Sequence, residues 1–277
     1  MSLPSRPRAV VTGAGSGLGR ALCEALAARQ ARVMVSDMNA ASAEETARRV
    51  TELGGEARVH PCDVTDPDAV EALARATDEA FGGVDLVVNN AGVATGGAVG
   101  TLPLSEWKRV LDVNLWGVIH GCHAFVPRLK KQGSGHVLNI ASAAGLVYAP
   151  NLAAYNTSKA AVVALSETLY AELQPLGLGV TVACPTFFRT NIAAAAAPYA
   201  DPETRRMSIK LVDQSKIGAE WVAERLLKAV DQGAPHVLPM ADARWFWRLR
   251  RLAPGLFLRG VIAVEKRLRE RTARIPG

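Results

Sequence analysis

The chain has 277 residues, 49% of them hydrophobic and 21% charged. That is enough for one large core, and it excludes wholesale disorder. The formal charge is +6, but the excess is local. Ala241–Gly277 holds ten basic and three acidic side chains, so the first 240 residues are near neutral and carry no general footprint for nucleic acid. Arg8–Thr12 reads as a buried strand and Gly17–Arg29 as a helix. Arg32–Ser36 is a second strand, followed by a helix over Ala40–Leu53 that stops at Gly54-Gly55. Glu56–Pro61 is a third strand. Asp66 caps a helix with Pro67 at its first position, ending near Phe81. Val84–Asn89 is a fourth strand.

The alternation continues. Ser105–Lys131 holds one long helix or a broken pair. Gly135–Ala141 is a strand, Tyr155–Gln174 a helix, Gly179–Cys184 a strand, Gly218–Gln232 a helix and His236–Leu238 a short last strand. Strands apolar on both faces and joined by helices predict an α/β fold, a doubly wound parallel sheet in three αβα layers. Residues 1–240 form that domain, and 241–277 are a basic, amphipathic helical extension.

Cys23, Cys62, Cys122 and Cys184 lie far apart, with no CxxC or Cys/His ligand spacing. They read as reduced core thiols, and no metal site is expected. Met1–Arg8 has no secretory pattern, and no uncharged apolar run reaches the roughly 18 residues of a membrane span. The expectation is a soluble, cytoplasmic protein.

Thr12–Gly19 (TGAGSGLG) follows the first strand and opens a helix. Glycines there permit a tight turn and let backbone approach a pyrophosphate at the helix N-terminus. Alone, such a loop is also a plain structural turn. Asp37, about 20 residues on, ends the second strand. A carboxylate there binds both ribose hydroxyls of NAD and repels the extra phosphate of NADP. Its bland alternative is a helix cap, a role open to Asn39 instead. Tyr155 and Lys159 are four apart on a helix and share a face. A nearby ammonium lowers a phenol's pKa and makes it a proton carrier for an alcohol–ketone pair.

These motifs, with Asp63-Val64, Asn89-Asn90-Ala91-Gly92, Asn114, Ser142 and Pro185…Thr190, fall in the order of the short-chain dehydrogenase/reductase family, which residues 8–240 resemble. The resemblance implies a Rossmann fold and NAD held by Gly13, Ser16, Gly17, Leu18, Gly19, Asp37, Asp63, Val64, Asn90, Ala91, Gly92, Tyr155, Lys159, Pro185 and Thr190. It implies a catalytic set of Asn114, Ser142, Tyr155 and Lys159. It also implies a homodimer or homotetramer through helices around Lys108–Lys131 and Tyr155–Gln174. One departure stands out: Thr186 occupies a position that is usually glycine, where it should narrow the backbone's approach or alter the loop.

Pocket walls come from loops at the carboxyl ends of the strands. Here they are mostly apolar, with Ser142, Ala144, Asn151, Tyr155 and Phe187 as candidate substrate contacts. They favour a lipophilic secondary alcohol or ketone, steroid-like, terpenoid, aryl or long-chain. Thr186–Ser215 is long enough for a lid. The tail has a break at Pro254-Gly255 and a second helix over Leu256–Arg274. It suits an anionic membrane surface, a cover over the pocket, a subunit contact or a solvated extension. A non-catalytic NAD-binding scaffold and a membrane-recruited interaction protein are the other functional classes. The intact Asn-Ser-Tyr-Lys set argues against the scaffold.

Overall fold

The computed structural model describes residues 3–189, 212 and 215–272, the last five of these by backbone alone. Seven parallel strands form one sheet in the order β3-β2-β1-β4-β5-β6-β7. They are β1 (Arg8–Thr12), β2 (Arg32–Ser36), β3 (Glu56–Val59), β4 (Leu86–Asn89), β5 (His136–Ile140), β6 (Gly179–Ala183) and β7 (His236–Val237). The order reverses at β1, so the crevice between the carboxyl ends of β1 and β4 is the switch point where such sheets bind ligands. The predicted doubly wound α/β architecture is present.

Alternation along each strand builds a core on each face of the sheet. Val10, Val87 and Val137 point to one side, with Leu73, Phe125, Leu129 and Val162 from the helices. Ala9, Val11, Val33 and Val35 point to the other, with Leu22, Leu26, Val222 and Leu226. Each fully buried Val, Leu or Phe contributes about 1.5–3 kcal/mol. The helices are α1 (Gly17–Ala27), α2 (Ala40–Glu52), α3 (Pro67–Phe81), α4 (Leu104–Leu111), α5 (Gly117–Gln132), α6 (Ala153–Leu173), α7 (Ala219–Asp231), α8 (Ala241–Leu252) and α9 (Pro254–Thr272).

Local chemistry sets the boundaries. Asp66 accepts from the Asp68 amide at 2.9 Å with Pro67 at the first position, and Gly82 ends α3 at φ +72°. The stretch from Ser105 to Lys131 is the one long helix, its backbone helical throughout, with a single π-helical turn, Asp112–Trp116, between α4 and α5. The tail differs from the sequence reading. The break falls at Ala253, and Pro254 opens α9, because a first-turn proline gives up an N–H that has no helical partner. Ala243 of α8 is buried in the core, and Trp247 packs against it.

One polar network crosses the core. Asn89 Nδ2 donates to Asn139 Oδ1 at 2.9 Å, and Asn139 Nδ2 donates to Ser166 Oγ at 2.9 Å. This ties β4 to β5 and β5 to α6. A Cβ on Gly121 would lie 2.0 Å from Asn89 Oδ1, so only glycine lets α5 approach the network. All four cysteines are free and buried, and no disulfide links them.

Candidate active site

The glycine loop is shaped by close approaches. Gly13 has φ +61°, and a Cβ there would lie 2.7 Å from Ala91 Cα. A Cβ on Gly19 would lie 2.2 Å from the Gly13 carbonyl oxygen. Asn90 staples the loop from β4: its Nδ2 donates to the carbonyls of Thr12 at 2.8 Å and Gly13 at 3.0 Å. The Asn90 and Ala91 amides both donate to Thr12 Oγ1. Ser16 precedes α1 with an extended backbone and makes no side-chain cap. The first-turn amides of Gly17, Leu18 and Gly19 therefore have no side chain from the N-cap residue, which suits an anion at this helix end.

Asp37 sits beside this loop. Its Oδ2 accepts from the Gly15 amide at 2.9 Å and its Oδ1 from the Asn39 amide at 2.9 Å. Asn39, not Asp37, caps α2, accepting from the Ser42 amide at 3.0 Å. The bland alternative for Asp37 therefore falls away. Arg20 holds the loop from the other side, donating to the Gly15 carbonyl at 2.5 Å and to Thr46 Oγ1 at 3.0 Å. Nothing in the sequence pattern singles out Arg20 except its place four residues after Ser16.

Asp63 Oδ1 accepts from both the amide and the hydroxyl of Thr65, a tight local turn that leaves the residue exposed. Val64 is buried beside Gly117, where a Cβ would lie 2.7 Å from Val64 Cγ2.

The predicted catalytic set gathers at the carboxyl ends of β4, β5 and β6. Asn114 lies in the π turn and is fully buried. Its Oδ1 accepts from the Val93 amide at 2.8 Å, while its Nδ2 donates to the Val93 carbonyl at 2.9 Å and to Ser158 Oγ at 3.1 Å. Ser158 Oγ in turn donates to the Tyr155 carbonyl at 2.8 Å. Ser142 caps a short 3₁₀ turn after β5, accepting from the Ala144 amide at 3.1 Å, and its hydroxyl faces the Pro185 carbonyl at 3.4 Å.

Lys159 is 3% exposed, and its ammonium donates to the Ile140 carbonyl at 2.9 Å. Burial lowers its pKa to about 8. Burial also raises the Tyr155 phenol above its ordinary value, partly offset by a hydrogen bond with Ser142. Helical spacing alone predicts that Lys159 lowers that phenol. In the structure Lys159 Nζ is 5.8 Å from the Tyr155 ring centroid and directed at the Ile140 backbone, so desolvation dominates. A Cβ on Gly92 would lie 3.3 Å from Asn114 Oδ1 and 3.5 Å from Lys159 Nζ. Glycine thus keeps open a cradle bounded by both groups. Together with the uncapped α1 terminus and Asp37, the cradle fits a dinucleotide.

The other candidates scatter more. Pro185 accepts from the Ala143 amide at 2.9 Å and joins the cluster. Ala144 is half-buried beside Ser142. Asn151 adopts φ +60°, and its carbonyl accepts from the Gly97 amide at 2.7 Å. Phe187 is 46% exposed. It lines a cavity of about 650 Å³ with Trp221 and Met240, which touches none of the four catalytic candidates. Thr190 and most of the Thr186–Ser215 loop lie outside the described residues. Thr186 is not among the residues with positive φ, so the expected change in loop dihedrals has no strained backbone behind it. Among the described residues no group of three metal-ligating side chains forms a metal site.

Doubly wound sheet, glycine loop and Ser-Tyr-Lys group together define a class: oxidoreductases built on the nucleotide-binding α/β fold. The chain belongs to the short-chain dehydrogenase family, whose profile matches residues 7–200. It is 39% identical over 253 residues to the probable oxidoreductase EphD of Mycobacterium tuberculosis, covering 88% of this chain and 43% of that protein. The chain thus spans less than half the length of that relative. It is 35% identical over 235 residues to 2-(R)-hydroxypropyl-CoM dehydrogenase of Xanthobacter autotrophicus, covering 83% of this chain and 93% of that one. A crystal structure of a short chain dehydrogenase/reductase from Burkholderia phymatum in complex with NAD superposes with a TM-score of 0.85 at 34% identity, covering 91% of this chain and 95% of that one.

Proposed function

We propose that this protein is an NAD-dependent oxidoreductase interconverting a lipophilic secondary alcohol and its ketone. The observation that carries the reading is the convergence of Ser142, Tyr155, Lys159 and Asn114 around the cradle that Gly92 keeps open. Gly13, Ser16–Gly19, Asp37, Asp63-Val64 and Asn90–Gly92 would hold the dinucleotide, with Pro185 and Thr190 on its nicotinamide side. When bound, NAD supplies the hydride acceptor or donor.

The protein must manage one proton. Tyr155 exchanges it with the substrate oxygen: in reduction the phenol donates to the developing alkoxide, and in oxidation the phenolate takes the alcohol's proton. Ser142, whose hydroxyl also acts on the phenol's titration, orients and polarises the same oxygen. Lys159 holds positive charge beside them. Asn114, joined to Tyr155's carbonyl through Ser158, positions the amino end of the catalytic helix.

The lipophilic reading rests on the apolar sequence of the strand-end loops, with Ala144 beside Ser142; Leu146 and Val147 pack into the core, and Phe187 lines the separate cavity. A homodimer or homotetramer through α4, α5 and α6 is supported by exposed Leu104 and Trp116. The similarity to a protein named as a dehydrogenase of a 2-hydroxypropyl compound fits a secondary alcohol.

The test is a panel of secondary alcohols followed by NADH absorbance, with NADP alongside and Tyr155→Phe as the variant. Tyr155→Phe should lower kcat about 10²–10⁴-fold while NAD still binds. Retained turnover overturns the mechanism. NAD binding with no turnover of any alcohol or ketone favours a non-catalytic scaffold.

A further inference from the structure

The two tail helices present an apolar surface that no other described part of the chain covers. Ala243, Trp247 and Arg250 form the inward face of α8. Ala243 is buried, Trp247 packs on the core, and Arg250 donates to the Leu146 carbonyl and lies 3.9 Å over the Tyr148 ring. The opposite face carries Trp245 and Leu252, seven residues apart and 60% and 86% exposed. On α9, Phe257 is buried and Val261 half-buried, whereas Leu256, Leu258, Ile262 and Val264 are each more than half exposed. From Leu256 to Val264 the only charged residue is Arg259. The first half of α9 is therefore apolar nearly all round, a pattern for burial, while its second half, from Glu265 on, is densely charged.

Charge selects the occupant. The segment holds ten basic and three acidic residues, so two copies face to face would repel each other. A nucleic acid would satisfy the arginines but leave the leucines, Ile262 and Trp245 in water. An anionic bilayer surface satisfies both: aliphatic and indole groups enter the headgroup–acyl boundary, and arginines meet the lipid phosphates. Neither helix is long and apolar enough to cross a membrane, so the contact lies in the interfacial plane.

We propose that α8 and α9 form a docking surface for anionic lipid membranes. Through Arg250 that surface is fixed to the Leu146–Tyr148 loop, which follows directly on the turn capped by Ser142. The docking itself does not depend on the proposed chemistry. If that chemistry holds, docking places the substrate loop next to the phase in which lipophilic alcohols and ketones accumulate.

The experiment is co-sedimentation of the full chain with phosphatidylcholine vesicles and with phosphatidylcholine–phosphatidylglycerol vesicles. Binding should be at least about tenfold stronger to the anionic vesicles and should weaken with salt. Trp245→Ser with Ile262→Ser, and separately Arg248→Glu with Arg259→Glu, should each weaken it about tenfold or more. Circular dichroism and turnover of a water-soluble alcohol should not change, which separates lost docking from lost folding or lost catalysis. No sedimentation with either vesicle, or variants that bind like the parent, overturns the proposal. So does light scattering in which the variants split an oligomer while vesicle binding stays the same, because the surface then joins two copies.

Discussion

Asn114 is clamped to the backbone of a single residue, Val93. Its Oδ1 accepts the Val93 amide at 2.8 Å and its Nδ2 donates to the Val93 carbonyl at 2.9 Å. The pair joins the π turn between α4 and α5 to the strand-end loop that carries Gly92. In Asn114→Ala both backbone groups of half-buried Val93 lose their partner. At about 1–3 kcal/mol per unsatisfied group, two groups set a loss of about 2–6 kcal/mol, the lower end being expected because Val93 is only half-buried. Urea unfolding measures it, and a loss below about 1 kcal/mol would mean the loop finds other partners.

Asp37 serves two roles that one pair of substitutions separates. It accepts the Gly15 amide and, in the proposed complex, repels a 2′-phosphate. Asp37→Asn keeps an acceptor for Gly15 but removes the charge. Its kcat/KM ratio for NAD over NADP should fall about tenfold or more, in line with loss of one charged hydrogen-bonding group. Asp37→Ala should show the same shift and lower thermal stability as well. A ratio unchanged in both variants removes Asp37 from cofactor choice.

The sheet and most helix boundaries are legible in the chain because their signals are local. Val10 and Val11 alternate between two cores, Asp66-Pro67 starts α3, and Gly82 ends it. The catalytic group is legible only as a set, since YxxxK or one serine is common and the order of motifs carries the weight. Long-range partners are not legible. Nothing near Arg20 announces that its guanidinium holds the Gly15 carbonyl. Nothing near Arg250 announces its bond to the Leu146 carbonyl, 104 residues away. The titration of Tyr155 is only half legible, because helical spacing gives Lys159 as a neighbour but not the burial that raises the phenol.

Lys159 makes stability depend on pH. Burial lowers its pKa to about 8 from an ordinary 10.5. Between those values the unfolded lysine binds a proton that the folded one does not, so this group's contribution rises with pH across the window. Below about pH 8 the folded state bears the full cost of the buried ammonium. Lys159→Met removes the dependence. The stability of the parent relative to Lys159→Met should therefore rise by about 2 kcal/mol from about pH 7.5 to 9.5. Denaturant midpoints at matched salt measure this. A flat or falling difference would mean the ammonium is well solvated in the folded protein.

Thr186 stands where the family usually has glycine, and the structure shows why a side chain is tolerated. Its backbone is outside the left-handed region, and the residue is half-buried, with its hydroxyl 3.4 Å from Asp242 Oδ1 at the start of α8. Thr186→Gly removes that contact and frees the unfolded chain, so stability should fall by about 0.5–1 kcal/mol. If the Cβ does not obstruct the nicotinamide side, kcat/KM should stay within about threefold, under 1 kcal/mol of transition-state binding. A gain of about tenfold or more would instead show that the threonine narrows the site, and would return Thr186 to the list of residues that set its rate.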